Sequence, residues 1–534
     1  MSASDDAHFL RVPPFPGGQT DSLVATNAPS AEIDDGRLDR LMERMAALKV
    51  GGAYWGPQPS LPDAGYTLVR VRETGARAGI LKRDGPHFVA DKLADPWHLV
   101  SGAGEVIVDA DDELALVAAL AGIHVRCIGD GPFRVLDGGG AAELREVFRR
   151  HVLKPWIDPF SGAPMDLEQA IELSGFWRRL IDSNRDITAA FGFALWKRQT
   201  VAPLLWGGDA AVPFAGKRED PSRDDHIAVW KSRVAKRVLD QLQRSGAELI
   251  EVEDGFIRSV GLGADCVPPL SIVVDRTGIY FDPSRESDLE GLLESGEFPD
   301  VLLARARELR ELIVDLGISK YGVGQSAQAE RQSGMRYLLV VGQVEDDRAV
   351  MSGGGPSTNI ELLKRVRETN ADAHLIYKPH PDVEAGHRAG AVPRDICLAL
   401  ADELAPDAPI SSIIDLVDEV HVNTSLAGFE ALLRGKPVTA YGVPFYAGWG
   451  LTRDLGPIPR RRTRRRSLDE LVAAALLLYP RYLDPVTRLP CPPEILVRRL
   501  ADRSNSAKAA PLVRFRRLQG RWKRKIAAFQ RVTR

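Results

Sequence analysis

The chain has 534 residues, 44% of them hydrophobic, and a formal net charge of -3. That length exceeds one ordinary domain and is enough for about two to four domains with sizeable cores. The near-neutral charge excludes a global attraction to nucleic acid, and the scattered Cys127, Cys266, Cys397 and Cys491 exclude a disulfide framework and a CxxC zinc site.

Residues 1–30 are rich in Ser, Ala, Asp, Pro and Gly and are expected to be disordered. They carry no basic n-region and no apolar h-region, so no signal peptide is expected. The longest apolar run, LVAAALLLY from Leu471, is too short to span a bilayer. Together these point to a cytoplasmic protein.

Residues 31–185 contain a segment that returns later in the chain. Gly122, Val125 and Gly129 recur as Gly435, Val438 and Gly442 at a constant spacing of 313 residues. Asp158-Pro159 recurs as Asp484-Pro485 at a spacing of 326. Each copy reads as strand, helix, strand, loop, helix, with glycine at the helix exit. The earlier copy lacks the Thr-Ser pair, the YAGWG loop and any His-Pro, so it is expected to be a degenerate, partial module. That two βαβ units simply look alike is the bland alternative.

Residues 186–334 read as a second α/β region. ELIEVEDGF from Glu248 is a strand running into a turn, LSIVVD and GIYFD suggest a hairpin joined at Arg276-Thr277, and ESDLEGLLESG is helical. Residues 335–500 alternate cleanly: RYLLVVG, AHLIYKPHP, DEVHVNTS and PVTAYG as strands, NIELLKRVRETN and LAGFEALLRG as helices, with Asn359 as a cap. This pattern is a doubly wound parallel sheet. Two such halves fit an α/β, GT-B-type architecture: two Rossmann-like domains with a cleft between them, behind a degenerate N-terminal copy. Residues 501–534 form a basic tail. Leu512, Phe515, Leu518, Trp522, Ile526 and Phe529 recur at spacings of three and four among many Arg and Lys, the pattern of an interfacial membrane helix or of one packed on its own protein.

In open parallel sheets ligands sit beyond the carboxyl ends of the strands, where the candidate residues cluster. Gln343, Glu345, Asp346 and Asp347 follow the strand YLLVVG. Three adjacent carboxylates after a buried strand must face solvent or a cleft. They suit acid–base or nucleophilic work, a divalent metal, or a solvated turn. Lys378, His380 and Pro381 end the strand AHLIY, where two prolines frame the histidine and two cations could meet a phosphate. Thr424 and Ser425 open a helix whose N-terminus is an anion site or an ordinary cap, and Glu430 lies just over a turn further on. Tyr446 and Trp449 lie in a glycine-aromatic loop that suits a flat ring or a packed turn. Glu253, Asp254 and Arg258 close a strand of the first half, where Arg258 could hold a sugar-acid carboxylate or pair with Asp254.

The motifs VEDGFIRSVGLGADCVPPLSIVVDRTGIYFD, ISKYG, VVGQVEDD, YKPHPDV, NTSLAGFEALLRGKPVTAYGVPFYAGWGLT and YPRYLDPVT stand in order over residues 195–500. They resemble the capsule polysaccharide biosynthesis family, and within it the retaining β-Kdo (3-deoxy-D-manno-oct-2-ulosonic acid) transferases. The resemblance implies CMP-Kdo as donor substrate, no cofactor and no metal. It also implies a lysophosphatidylglycerol-type, lipid-linked Kdo acceptor at the inner leaflet of the cytoplasmic membrane, where other capsule assembly proteins work. It makes Asp347 the catalytic carboxylate and His380-Pro381 the phosphate-contacting pair. Thr424 and Ser425 become the phosphate-binding helix start, and Glu430 the acid near the ribose. A transferase or epimerase using another nucleotide sugar, or a non-catalytic assembly or export factor, would share the fold.

Overall fold

A computed structural model describes residues 9–19, 33–82, 84–215, 221–259, 267–319, 322–323, 331–386, 388–406 and 408–502. The basic tail and the segments 1–8 and 20–30 lie outside these residues. The chain divides into two compact units. One holds the described residues up to Ile187 with Leu205–Pro213 and Val486–Leu489; the other holds Thr188–Leu204, Phe214–Pro485 and the described residues from Pro490.

The first unit is built on four parallel strands, β1 (Tyr66–Arg70), β2 (His87–Val89), β3 (Ala103–Asp109) and β4 (His124–Ile128), in the order β2-β1-β3-β4. Val69, Val71, Ile80 and Ile107 form an apolar cluster on this sheet. Phe9, Leu10 and Phe15, inside the stretch expected to be disordered, are buried, because their rings and side chains can leave water here. A hairpin of β5 (Trp156–Ile157) and β6 (Pro164–Met165) follows, then the helix Leu167–Asp182.

The second unit has two halves. The first half is a seven-stranded mixed sheet. It begins with β7 (Ile187–Phe191), β8 (Phe214–Ala215), β9 (His226–Val229), β10 (Glu248–Asp254) and β11 (Ser271–Asp275). The expected hairpin after β11 does not form. The Asp275 carboxylate accepts N–H bonds from Thr277, Gly278 and Asp288, which turns the chain away. A small hairpin of β12 (Ile318–Ser319) and β13 (Gly322–Val323) leads to the second half.

That half is a six-stranded, wholly parallel sheet: β14 (Tyr337–Val341), β15 (His374–Lys378), β16 (Glu403–Leu404), β17 (Glu419–Val422), β18 (Val438–Ala440) and β19 (Arg453–Asp454), ordered β16-β15-β14-β17-β18-β19. Every residue of β14 is buried, as a central parallel strand covered on both faces requires. The helix Asn359–Thr369 packs Leu362, Leu363 and Val366 into the sheet's core. Its cap is Thr358, which accepts the Glu361 N–H, rather than Asn359. The chain then returns. β20 (Pro480–Leu483) pairs antiparallel with β11, and β21 (Pro490–Cys491) pairs with β20, so the end of the 335–500 segment belongs to the first half's sheet.

The sequence repeat has a structural counterpart. The spacing of 326 that relates the two Asp-Pro pairs also carries the pair Trp156↔Met165 onto Tyr482↔Cys491, and Ile157↔Pro164 onto Leu483↔Pro490. It carries Gly162, at φ +72°, onto Arg488, at φ +58°. A non-glycine residue in the left-handed region is uncommon, so Arg488 holds a turn that glycine makes freely in the other copy. Among the described residues no helix is long and apolar enough to cross a membrane.

Candidate active site

The acidic triplet after β14 is divided among three partners. The Glu345 carboxylate accepts the Asn359 N–H at 2.8 Å, serving the start of the next helix. Asp346 forms an exposed ion pair with Arg388 at 3.0 Å. Asp347 is exposed and caps the short helix Arg348–Ser352, accepting the Arg348 N–H at 2.9 Å. Gln343 is largely buried, at 9% exposure. Its side-chain oxygen accepts the Thr424 N–H at 2.8 Å and its amide donates to Thr424 Oγ1 at 3.0 Å, tying the ends of β14 and β17 together. Asn359 then clamps the Gln343 backbone on both sides: Oδ1 accepts its N–H and Nδ2 donates to its carbonyl.

His380 begins the helix Pro381–Glu384, and its Nδ1 accepts the Asp382 N–H at 3.1 Å. That bond leaves the proton of the neutral ring on Nε2, where it can be donated. Pro381 is exposed. Lys378 does not share the exposed end of β15: it is 7% exposed, and its ammonium donates to the Pro406 carbonyl after β16. Ser425 caps the helix Leu426–Leu433 through the Ala427 N–H. Thr424 and Ser425 are partly exposed at that helix start, whereas Glu430 is 7% exposed, which leaves little of it to meet a ribose.

A loop that the sequence reading passed over completes the mouth. Gly353-Gly354-Gly355 follows the short helix and lies on the ends of β17 and β18. A Cβ at Gly355 would stand 2.1 Å from Asn423 Oδ1 and 2.8 Å from Gly442 Cα. The Val443 N–H donates to the Gly353 carbonyl, and Asn423 Nδ2 to the Pro356 carbonyl. The run SGGGP is the signal in the sequence.

Tyr446 and Trp449 are fully buried and take no part in the mouth. Both spend their polar tips internally, Tyr446 on the Ser425 carbonyl and Trp449 on the Phe445 carbonyl. Their neighbour Phe445 stacks on Phe256 of the first half, with ring centroids 4.6 Å apart. Arg462 donates to the Pro444 and Ala447 carbonyls and pairs with the buried Glu290. This loop therefore joins the two halves.

Across from the triplet, β10 ends in a charged cluster. Arg258 is 1% exposed and pairs with Asp254 at 2.8 Å, so the internal ion pair prevails over a bound sugar carboxylate. Asp254 also faces Lys197 at 3.4 Å. Burial, the largest influence, pulls the Lys197 ammonium down to about 8. Glu253 stays 16% exposed and lies 3.5 Å from Arg348. Burial first, then the Asp254 carboxylate, pushes the Glu253 carboxyl up to about 8.

Three comparisons bear on this geometry. The sequence profile of the capsule polysaccharide biosynthesis protein family matches residues 225–321 and 312–482. LpsZ, a lipopolysaccharide-processing protein of Rhizobium meliloti, is 51% identical over 329 residues, 59% of this chain and 74% of that protein. The chain belongs to the capsule polysaccharide biosynthesis family. LipA, a capsule polysaccharide modification protein of Neisseria meningitidis serogroup A, is 40% identical over 338 residues, 62% of this chain. The match spans 48% of LipA, so the chain accounts for about half the length of that relative. Among solved structures, the β-Kdo 2,4 transferase of Thermosulfurimonas dismutans KpsC is similar at 32% identity and a TM-score of 0.52, covering 59% of this chain and 98% of that one.

The strand-end residues of this family member have counterparts in the first unit. Thr67 pairs with Glu105 as Leu338 pairs with Glu419. Counting on from these pairs puts Arg72 at the place of Gln343, and Asp109, Ala110 and Asp111 at the places of Asn423, Thr424 and Ser425. Arg72 ion-pairs with Asp109 at 2.9 Å and Asp111 at 2.6 Å. Where one copy keeps hydroxyls and a helix start, the other has two carboxylates holding an arginine.

Proposed function

We propose that this chain is a GT-B-type glycosyltransferase that moves Kdo from CMP-Kdo onto a lipid-linked Kdo acceptor with retention, building the linker of a capsule polysaccharide. The observation that carries this reading is the meeting of Asp347, His380 and the Thr424-Ser425 helix start at the carboxyl ends of three adjacent parallel strands, β15, β14 and β17. The similar KpsC domain is a β-Kdo 2,4 transferase, which agrees with it.

In this reading the CMP phosphate lies against His380 and the start of the helix Leu426–Leu433, where N–H groups and the helix dipole favour an anion. Lys378 is left out, because its ammonium serves the Pro406 carbonyl. Departing CMP takes the electron pair of its bond to the anomeric carbon while an Asp347 oxygen attacks that carbon, forming a glycosyl ester. The acceptor hydroxyl then attacks the same carbon, the ester bond breaks, and Asp347 is regenerated; two inversions give retention. The hydroxyl proton goes to Glu253, whose raised pKa suits it to accept a proton near neutrality. The His380 ring N–H and the N–H groups and dipole of the helix start take the place of a metal. Attachment of the basic tail, residues 501–534, to an anionic inner leaflet belongs to the same proposal.

Full-length protein incubated in EDTA with CMP-Kdo and a synthetic lipid-linked Kdo acceptor is expected to release CMP and yield a β-Kdo product, with its linkage read by NMR. Turnover of UDP-sugars alone, or no transfer from any nucleotide sugar, would overturn the reading.

A further inference from the structure

Asp347 stands at the head of a helix too short to hold itself in place. Arg348–Ser352 is five residues long. An isolated helix of that length is unstable in water, so tertiary contacts must orient it. Those contacts come from the opposite half. Arg348 Nη1 lies 2.6 Å from Glu251 Oε1 on β10, and its guanidinium stands 4.8 Å from the centre of the Phe281 ring. At the other end of the same helix, Ser352 Oγ donates back to the Arg348 carbonyl at 2.7 Å and lies 3.2 Å from the Phe281 carbonyl. Arg348 thus fastens the head of the helix to the half that carries Glu253.

We propose that Arg348 is a positioning residue, which uses the buried Glu251 as an anchor to set the Asp347 carboxylate against the half that carries Glu253. The inference rests on the reading of Asp347 as the catalytic carboxylate. Glu251 suits the role because it is 1% exposed and cannot move into solvent with its partner. It is also held independently of Arg348: Lys231 pairs with it, and Arg285 lies 3.6 Å away. Removing Arg348 therefore leaves the buried Glu251 carboxylate compensated, and the loss falls on the helix and on Glu253, which also faces Arg348 at 3.5 Å, rather than on the fold. The Arg348 N–H donates to the Asp347 carboxylate while the Arg348 side chain reaches Glu251, so one residue links the reacting group to the anchor.

The test compares full-length Arg348→Met, Arg348→Lys and Asp347→Asn with the parent chain, by steady-state kinetics and thermal denaturation. Arg348→Met is expected to lower kcat about 10- to 100-fold, the range that small misplacements of a reacting group produce. Its KM for CMP-Kdo is expected to stay within about threefold and its unfolding to stay cooperative, since no donor contact is lost. Arg348→Lys, which keeps a cation of shorter reach, is expected to recover part of kcat. If Arg348→Met folds and keeps the parent kcat, or if it loses KM and kcat together, the positioning role is wrong. If Arg348→Met unfolds, Arg348→Lys decides: a folded lysine variant with parent kcat also overturns the role, and one with lowered kcat and parent KM supports it. Asp347→Asn separates this from the reading beneath it. Parent turnover in that variant defeats the catalytic assignment itself, whereas an inactive Asp347→Asn beside a fully active Arg348→Met defeats only the positioning inference.

Discussion

His380 and Glu253 illustrate how a side chain's neighbours decide its chemistry. His380 both caps a helix and, through the bond to its Nδ1, keeps a proton on Nε2. His380→Asn retains a capping acceptor and loses the ring, so it separates the two roles. Its kcat with CMP-Kdo is expected to fall about 10²-fold, as for one lost preorganised donor, with melting unchanged. Parent kinetics in steady-state assays would reduce His380 to a cap. Glu253 is raised from 4.5 to about 8, chiefly by burial. Between those values it binds a proton in the folded chain and not in the unfolded one. It therefore stabilises the fold fully below its unfolded pKa, and that contribution is lost as pH rises toward the folded value. Lys197, pulled down to about 8, exerts its effect above that pH. Turnover should run the other way, rising with pH as Glu253 ionises. Glu253→Gln is expected to abolish that rising limb and to flatten the fall of melting temperature over the same window. It should also cost roughly 10²-fold or more in transfer. A pH–rate profile that keeps its limb in this variant would remove Glu253 from the proton path.

At the scale of elements, strands and helices were largely legible because their signals are local. The apolar runs YLLVV and HLIYK mark β14 and β15, and Gly435 marks the exit of the helix Leu426–Leu433, without help from the rest of the chain. The expected hairpin after β11 failed for a nonlocal reason: the partner that β11 takes beside β10 is β20, about 200 residues later. The glycine loop is the element with most to lose from a small change. Gly355→Ala would drive a methyl group into Asn423 Oδ1 and the Gly442 backbone. An overpacked site of this kind costs about 1–3 kcal/mol. Urea denaturation should show that loss, and calorimetry a weaker affinity for CMP, because the loop rests on the strand that leads into Thr424. Unchanged stability and affinity would mean the loop has room to yield.

For the whole molecule, the prediction concerns how many sites one chain carries. The first unit repeats the strand pairing and the hairpin of the second, yet it holds Arg72 between Asp109 and Asp111 where the other copy has Gln343, Asn423 and Ser425. Two carboxylates at a helix approach repel a phosphate, and the arginine that neutralises them is already engaged. Calorimetry of the full chain with CMP is expected to give one site. Two sites of similar affinity would revive the first unit as a working module.

The sequence by itself determined the alternation of strands and helices, the internal repeat and the crowding of polar residues at strand ends, because spacing and turn chemistry act within a few residues. Only the tertiary structure decided which of those residues face outward. Glu345 was taken by Asn359, Gln343 by Thr424 and Lys378 by Pro406, while Tyr446 and Trp449 disappeared into the joint between the halves. Those partners stand 14 to 81 residues away, and a hydrogen bond or a buried ring is settled by what arrives beside it in space.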